Sequence, residues 1–212
     1  MARFFRMSLL AGSVGILAAS LAMANIPDAS VSTVPECMIV SPDGALDYTV
    51  NVSGLLGPIN GAQVEIFIYN DADALVSWCT GQVHPSILGT TDPNGNETFN
   101  IAAGGCVDAA RFGAEVYRVY ADGIPIGEAS QFSPGAIVSP DAVNEAGLLP
   151  TAGSYAADAT AQVTLSDAVF HTGPIVTATL EKCTDFNSDG FINVSDAVIV
   201  TPYIILATFC TL

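Results

Sequence analysis

The chain has 212 residues and half of them are apolar, which is enough for one ordinary domain or two small ones and too little for a large multidomain enzyme. Only 12% of the residues are charged, and 21 acidic residues outnumber 5 basic ones, giving a formal charge of -16. This balance argues against nucleic acid as a partner, because phosphate binding needs clustered lysine and arginine. It favours solubility, metal cations or a basic partner.

The first 24 residues have the pattern of a secretory signal peptide. Arg3 and Arg6 precede an apolar run from Met7 to Met23, and Ala22-Met23-Ala24 supplies small residues for cleavage. A retained membrane anchor is the competing interpretation, but the run is short for a bilayer span and is interrupted by glycine and serine. We therefore expect removal of residues 1–24, no membrane span afterwards, and a secreted or cell-surface location.

Export places the five cysteines in an oxidising compartment, where disulfides are expected. Cys183 and Cys210 bracket the last compact segment, and Cys79 and Cys106 bracket a strand-rich stretch. Pairing within each bracket leaves Cys37 alone, as a free thiol or with a partner in another chain. Other pairings stay open, because spacing alone does not determine connectivity.

Residues 45–132 are predicted to form short β-strands separated by turns. Apolar and polar residues alternate over 48–52 and over 64–68, as in half-buried strands. Further strands are predicted at 86–90, 97–102, 114–121 and 124–132, with turns at 92–95 and 122–123. Strands at this spacing, without helical patterns between them, favour an antiparallel β-sandwich.

Two motifs in this stretch resemble those of bacterial Ig-like or prealbumin-like modules of secreted and surface proteins. Gly57-Pro58-Ile59-Asn60-Gly61-Ala62 precedes Val64, and Thr91-Asp92-Pro93-Asn94-Gly95 precedes Phe99. The resemblance implies that residues 25–132 form an Ig-like β-sandwich domain. Residues 133–156 follow as a predicted linker rich in turn-forming residues, with a strand at the edge of the sandwich as the open alternative.

Residues 185–196 carry oxygen-bearing side chains at the spacing of an EF-hand calcium loop, with Gly190 at position 6 and Ile192 at position 8. A hard cation takes about six to eight oxygens, and a loop that winds around it turns alternate side chains inward. A polar surface turn is the alternative. The predicted calcium ligands are the side chains of Asp185, Asn187, Asp189, Asn193 (directly or through water) and Asp196, and the backbone carbonyl of Phe191.

The loop closes with Asp rather than Glu, and its whole pattern resembles one repeat of a type I dockerin. Dockerins carry two calcium loop-helix repeats and dock onto cohesin modules, usually attaching secreted polysaccharide-degrading proteins to a scaffold. The resemblance implies that residues 157–212 form a small α-helical, dockerin-like calcium-binding domain. It also implies a second repeat.

That second repeat lies 29 residues upstream, where eight of the fourteen residues in 166–179 are identical to those in 195–208. Counting back from Asp167 puts Ala156, Asp158 and Thr160 at loop positions 1, 3 and 5, so we expect weak calcium binding there or none. Its role is then expected to be packing against the second repeat, through an apolar surface on each side: Val163, Leu165, Val169 and Phe170 against Ile192, Val198 and Ile199.

The sequence departs from the dockerin pattern in the second helix. Pro202 is expected to end that helix early, and Leu206 stands where dockerins often carry a basic recognition residue. Val194 and Ser195 occupy the loop positions that help dockerins to choose partners. Cohesin binding is therefore a hypothesis that the resemblance supports and these residues leave open.

The sequence after residue 24 contains no recognised hydrolase, zinc-protease, phosphate-binding or dinucleotide-binding motif, and its only histidines are His84 and His171. We therefore predict no catalysis. The predicted function is a secreted calcium-binding protein whose dockerin-like module attaches an Ig-like sandwich to an extracellular partner, such as a cohesin-like protein. The alternative is a polysaccharide-binding or adhesive module with the helices as a structural anchor. Four aromatic residues prompt this alternative, although core burial is favoured for them: Tyr69, Trp78, Tyr117 and Tyr120.

Overall fold

The computed structural model describes residues 25–126, 135–144, 147–150, 161–177 and 181–210, so the predicted signal peptide lies outside the described residues. In these ranges the chain is mainly β, with antiparallel sheets and a few helices. The strands are β1 (Cys37–Ile39), β2 (Asp47–Asn51), β3 (Ser53–Gly54), β4 (Gly57–Pro58), β5 (Gln63–Ile68), β6 (Ser77–Trp78), β7 (Ser86–Thr90), β8 (Asn96–Asn100), β9 (Ala103–Gly104), β10 (Val107–Asp108), β11 (Tyr117–Ala121), β12 (Ile124–Pro125) and β13 (Ala136–Val138). The helices are α1 (Asn70–Asp73), α2 (Ala109–Phe112), α3 (Leu165–Thr177) and α4 (Val194–Leu206), with a 3-10 turn at Lys182–Thr184. Among the described residues, no helix is long and apolar enough to cross a membrane.

Two antiparallel sheets share the main core of the β part, which we define as residues 25–126 and 135–144. One sheet has the order β12-β11-β5-β7, and the other pairs β2 with β8. The alternation that predicts β2 and β5 is confirmed, because Tyr48 and Val50 of one sheet and Val64, Ile66 and Ile68 of the other are buried together. Period-two patterns of this kind place one face of each strand in the core.

A third sheet has the order β1-β13-β10, with β1 parallel and β10 antiparallel to β13. Its middle strand, Ala136–Val138, lies in the segment interpreted as a linker, so a strand is present there and it is central rather than at an edge. All three of its side chains are buried. A short strand buried on both faces does not alternate, which is why periodicity gave no signal for it.

The helices α3 and α4 reproduce the internal duplication, since their bounds differ by the same 29 residues as the repeated sequence. The expected early end at Pro202 is wrong, because α4 continues to Leu206 and ends where Ala207 takes a left-handed φ of 46°. A proline inside a helix removes one hydrogen bond. Packing of Ile199, Val200 and Ile204 against the β part offsets that loss.

The helical pair, α3 and α4, is joined to the β part by both disulfides, Cys79–Cys210 and Cys106–Cys183. The two pairings derived from bracketing are therefore wrong: long-range packing places each cysteine beside a distant one. The bonds join residues 131 and 77 positions apart, and chain entropy assigns such bonds about 4–5 kcal/mol each. Cys37 is free and buried, and burial together with nearby Asp185 and Glu36 raises its pKa to about 12.

Candidate metal centre

The predicted calcium loop starts directly after the 3-10 turn and winds around its own acidic side chains. The carboxylate of Asp185 accepts hydrogen bonds from the backbone N–H groups of Asp189 at 3.2 Å and Gly190 at 3.0 Å. The Asn187 amide oxygen accepts from Asp189 N–H at 3.1 Å, and the Asp189 carboxylate accepts from Phe191 N–H at 2.8 Å. Gly190 has a φ of 80°, a conformation that suits glycine and allows the sharp turn.

Asp196 closes the loop from the first turn of α4. Its carboxylate is fully buried and accepts from Phe186 N–H and Asn193 N–H, both at 2.9 Å, so it ties the start of the loop to its end. The Asn193 amide oxygen in turn accepts from Ser195 N–H at 2.8 Å, which completes a capping box. Ile192 is buried, as expected for position 8.

The loop concentrates negative charge. Burial raises the pKa of Asp185, and the charges of Asp196 and Asp189 raise it further, against the opposing effect of its backbone hydrogen bonds. None of the ion pairs between described residues involves these three carboxylates, and Lys182, the nearest base along the chain, pairs with Glu36. An oxygen-only donor set with uncompensated charge suits a hard divalent cation.

The loop does not bring its carboxylates into a closed cluster. In the part of the chain that the structure describes, no three Asp, Glu, His or Cys side chains stand close enough to share an ion. The other predicted cation ligands are oxygens outside that class, on Asn187, Asn193 and the Phe191 carbonyl. The Asn193 amide nitrogen lies 3.5 Å from that carbonyl oxygen. Binding a cation would therefore require Asp185, Asp189 and Asp196 to draw together around it.

The equivalent residue of the first repeat, Asp167, is satisfied differently. One of its oxygens accepts from Ala142 N–H at 2.8 Å and Val143 N–H at 2.9 Å, and the other accepts from Thr164 N–H at 2.8 Å and the Thr164 hydroxyl at 2.9 Å. Burial raises the pKa of Asp167, and these bonds oppose the rise. Asp167 thus accepts four hydrogen bonds where Asp196 accepts two. Its carboxylate is therefore better stabilised by the protein alone, and a cation would stabilise it less.

The start of the first loop also lies elsewhere than expected. Asp141 directly precedes Ala142, as Asp185 directly precedes Phe186, and both aspartates are buried. Asp141 is therefore the structural counterpart of Asp185. The count back from Asp167 does not reach Asp141, because the two loops differ in length. The positions derived by that count, Ala156, Asp158 and Thr160, lie outside the described residues.

His171 lies between the two repeats rather than at a reactive site. It is fully buried, with Nε2 3.1 Å from the Pro140 carbonyl and Nδ1 3.1 Å from the Thr184 hydroxyl. A carbonyl only accepts, so Nε2 donates and Nδ1 accepts from Thr184. Burial lowers the pKa of His171 to about 4, against the hydrogen bonds of Pro140 and Ser139, and this holds the ring neutral. These contacts let the ring link the residues before the first repeat to the start of the second loop.

Each helix of the pair presents an apolar stripe to solvent, and the two stripes are copies of each other. Their apolar members are 68–80% exposed. The first stripe is Leu165, Val169, Thr172 and Val176, and the second is Val194, Val198, Thr201 and Ile205. The expected packing of Val169 and Leu165 against Val198 is therefore wrong. The described residues of α3 and α4 carry no exposed charged side chain, because Asp167, His171 and Asp196 are buried.

The aromatic residues considered for carbohydrate binding differ in burial and in their neighbours. Tyr117 is fully buried with its hydroxyl 3.3 Å from that of Tyr48, which confirms the core interpretation for this residue. The Trp78 ring is stacked against His84 with centroids 4.8 Å apart. Tyr69 and Tyr120 are half-buried.

No protein-family model, curated protein or solved structure matches this chain. The Ig-like and dockerin-like interpretations therefore depend on the motif residues and on the geometry described above.

Proposed function

We propose that this is a secreted, noncatalytic calcium-binding protein in which a dockerin-like helical pair attaches an Ig-like β-sandwich to an extracellular partner. The observation that carries the proposal is the structural repetition of α3 and α4. The two helices have equal length, each buries an aspartate in its first turn, and each exposes the same uncharged apolar stripe. The two disulfides are compatible with an extracellular location.

Calcium would be held by the second loop alone. Its ligands would be Asp185, Asn187, Asp189, Phe191, Asn193 and Asp196. A bound cation would neutralise the three carboxylates, and because Asp196 lies in the first turn of α4, it would also fix where that helix starts. The four protein donors of Asp167 support a stoichiometry of one ion per chain.

The stripes on α3 and α4 are proposed as the docking face. Soluble monomers rarely leave large contiguous apolar surfaces in water, so a duplicated stripe of this exposure favours burial against another protein. The face is uncharged in a strongly acidic chain, which lets a partner approach without like-charge repulsion. A cohesin-like module is the partner class that the dockerin resemblance implies. No observation in the described residues favours the polysaccharide alternative over this one.

Two measurements test the proposal. Calorimetric titration of the mature chain with calcium should give one binding site. Immobilised cohesin-type modules should then retain the protein in calcium and lose it in chelator. Equal retention in both conditions would contradict calcium-dependent docking.

A pair of variants tests the docking face itself. The double variant Val169→Lys/Val198→Lys places a charge in each stripe and should abolish retention without loss of stability, because both positions are exposed. Leu88→Lys, at an exposed position of β7, is the matched control and should be retained like the wild type. Retention of the double variant would show that partners do not use these helices.

A further inference from the structure

The residues that lead into the calcium loop are tied to the β part by three contacts. Cys183 forms its disulfide with Cys106, Lys182 pairs with Glu36, and Glu181 pairs with Arg111. Cys183 is fully buried and stands two positions before Asp185, within the turn whose Lys182 carbonyl accepts from Asp185 N–H at 3.1 Å. The backbone just before Asp185, the first predicted ligand, is thus fixed to the β part through Cys183.

The rest of the loop lies on the same sheet that the disulfide reaches. Phe186 and Val200 pack with Cys37, Ala136 and Val138 of β1 and β13. The Ser188 hydroxyl donates to the Cys37 carbonyl at 3.4 Å. Cys106 directly precedes β10, the third strand of this sheet. Both ends of the loop are therefore attached to the same sheet. Asp185 is attached through the Cys106–Cys183 bond, and Asp196 through the packing of α4.

We propose that the Cys106–Cys183 disulfide is a redox-sensitive positioning device for the cation, so that the bond and the bound cation stabilise each other. The proposal rests on the proposed cation site. Reduction by a dithiol breaks the S–S bond. Two electrons and two protons pass from the dithiol to the cysteine sulfurs, which become two thiols, and the dithiol closes into its own disulfide.

Cleavage removes the covalent one of the three ties between the start of the loop and the β part and leaves the two ion pairs, so the position of Asp185 is less tightly fixed. Ordering Asp185 then opposes cation binding, because a ligand that is no longer preorganised must lose conformational freedom when it binds. Linkage is reciprocal, so the factor by which the disulfide raises cation affinity is the factor by which the cation opposes reduction.

The chain offers a matched control in its second disulfide. Cys210 follows the far end of α4, well away from the loop, and its partner Cys79 lies next to β6. Calcium affinity should fall by about tenfold or more in Cys106→Ser/Cys183→Ser and by less than about threefold in Cys79→Ser/Cys210→Ser. Equal affinities in the first variant and the wild type would overturn the proposal. Failure of the wild type to bind calcium would instead refute the proposed cation site.

A second measurement needs no variant and covers the case in which the first one does not fold. The wild-type protein is equilibrated with graded dithiothreitol in calcium or in chelator, the thiols are trapped by alkylation, and each cysteine is assigned by peptide mass spectrometry. Calcium should shift the reduction equilibrium of Cys106–Cys183 by about tenfold and leave that of Cys79–Cys210 within about threefold. No shift, or equal shifts at both bonds, would contradict specific linkage.

Discussion

Asp196 and Asp167 occupy equivalent positions in the two repeats but accept hydrogen bonds from different numbers of donors. Comparing Asp196→Asn with Asp167→Asn therefore tests which of the two loops binds calcium. At Asp196 the amide NH₂ faces one buried N–H group, and the cost in chelator should be about 1–3 kcal/mol. At Asp167 the NH₂ can take the Thr164 side, where the hydroxyl can rotate to accept from it and only the Thr164 N–H is opposed, so the cost should be of similar size. Urea unfolding followed by the fluorescence of the single tryptophan, Trp78, measures both.

Calcium should distinguish the two variants, because only one of them should still gain stability from it. At about 100 times its Kd, calcium should stabilise the wild type by about 2.7 kcal/mol. Asp167→Asn should keep this increment, because the cation is proposed at the other loop, and Asp196→Asn should lose most of it. If Asp196→Asn gains as much from calcium as the wild type does, or if Asp167→Asn gains nothing, the reasoning from donor number is refuted.

Two further predictions concern stability. His171 has its pKa lowered from 6.5 to about 4, so the unfolded chain takes up a proton that the folded one refuses, and the free energy of unfolding should fall by about 3 kcal/mol as the pH falls from about 7 to about 4. Urea titrations should show this fall weakened in His171→Gln; a pH profile identical to that of the wild type would contradict it. Gly190→Ala should lower stability by about 1 kcal/mol, because its φ of 80° is strained for alanine although nothing blocks the Cβ. Gly173→Ala, inside α3, should do the opposite and raise stability by about 0.5–1 kcal/mol in thermal unfolding. A Cβ at Gly173 meets nothing, as at Gly190, but the φ of Gly173 is one that alanine readily adopts. Equal effects of the two glycine changes would argue against a backbone origin.

The sequence predicted those strands that have one face in the core. Alternation identified β2 and β5 because each has a buried and a more exposed side. It missed β13, since Ala136, Ile137 and Val138 are all buried and so do not alternate. A strand of that kind depends on the neighbours β1 and β10, which are distant in sequence.

The second loop was predictable in its local geometry, and the first was not. In the second, hydrogen bonds between near neighbours shape the turn from Asp185 to Asp196, so spacing carries the information. In the first, Asp167 bonds to Ala142 and Val143 across a longer segment. The disulfide pairs were mispredicted for the same reason, since both depend on how α3 and α4 pack on the β part.

The two disulfides have a mechanical consequence for the attachment proposed above. Tension applied through the helices would reach the β part along covalent bonds at two places, next to β6 and next to β10, instead of along the interface of packed side chains. A tether built in this way transmits load without peeling apart. Under load, the first contact to break would then be the noncovalent interface between the helices and the partner.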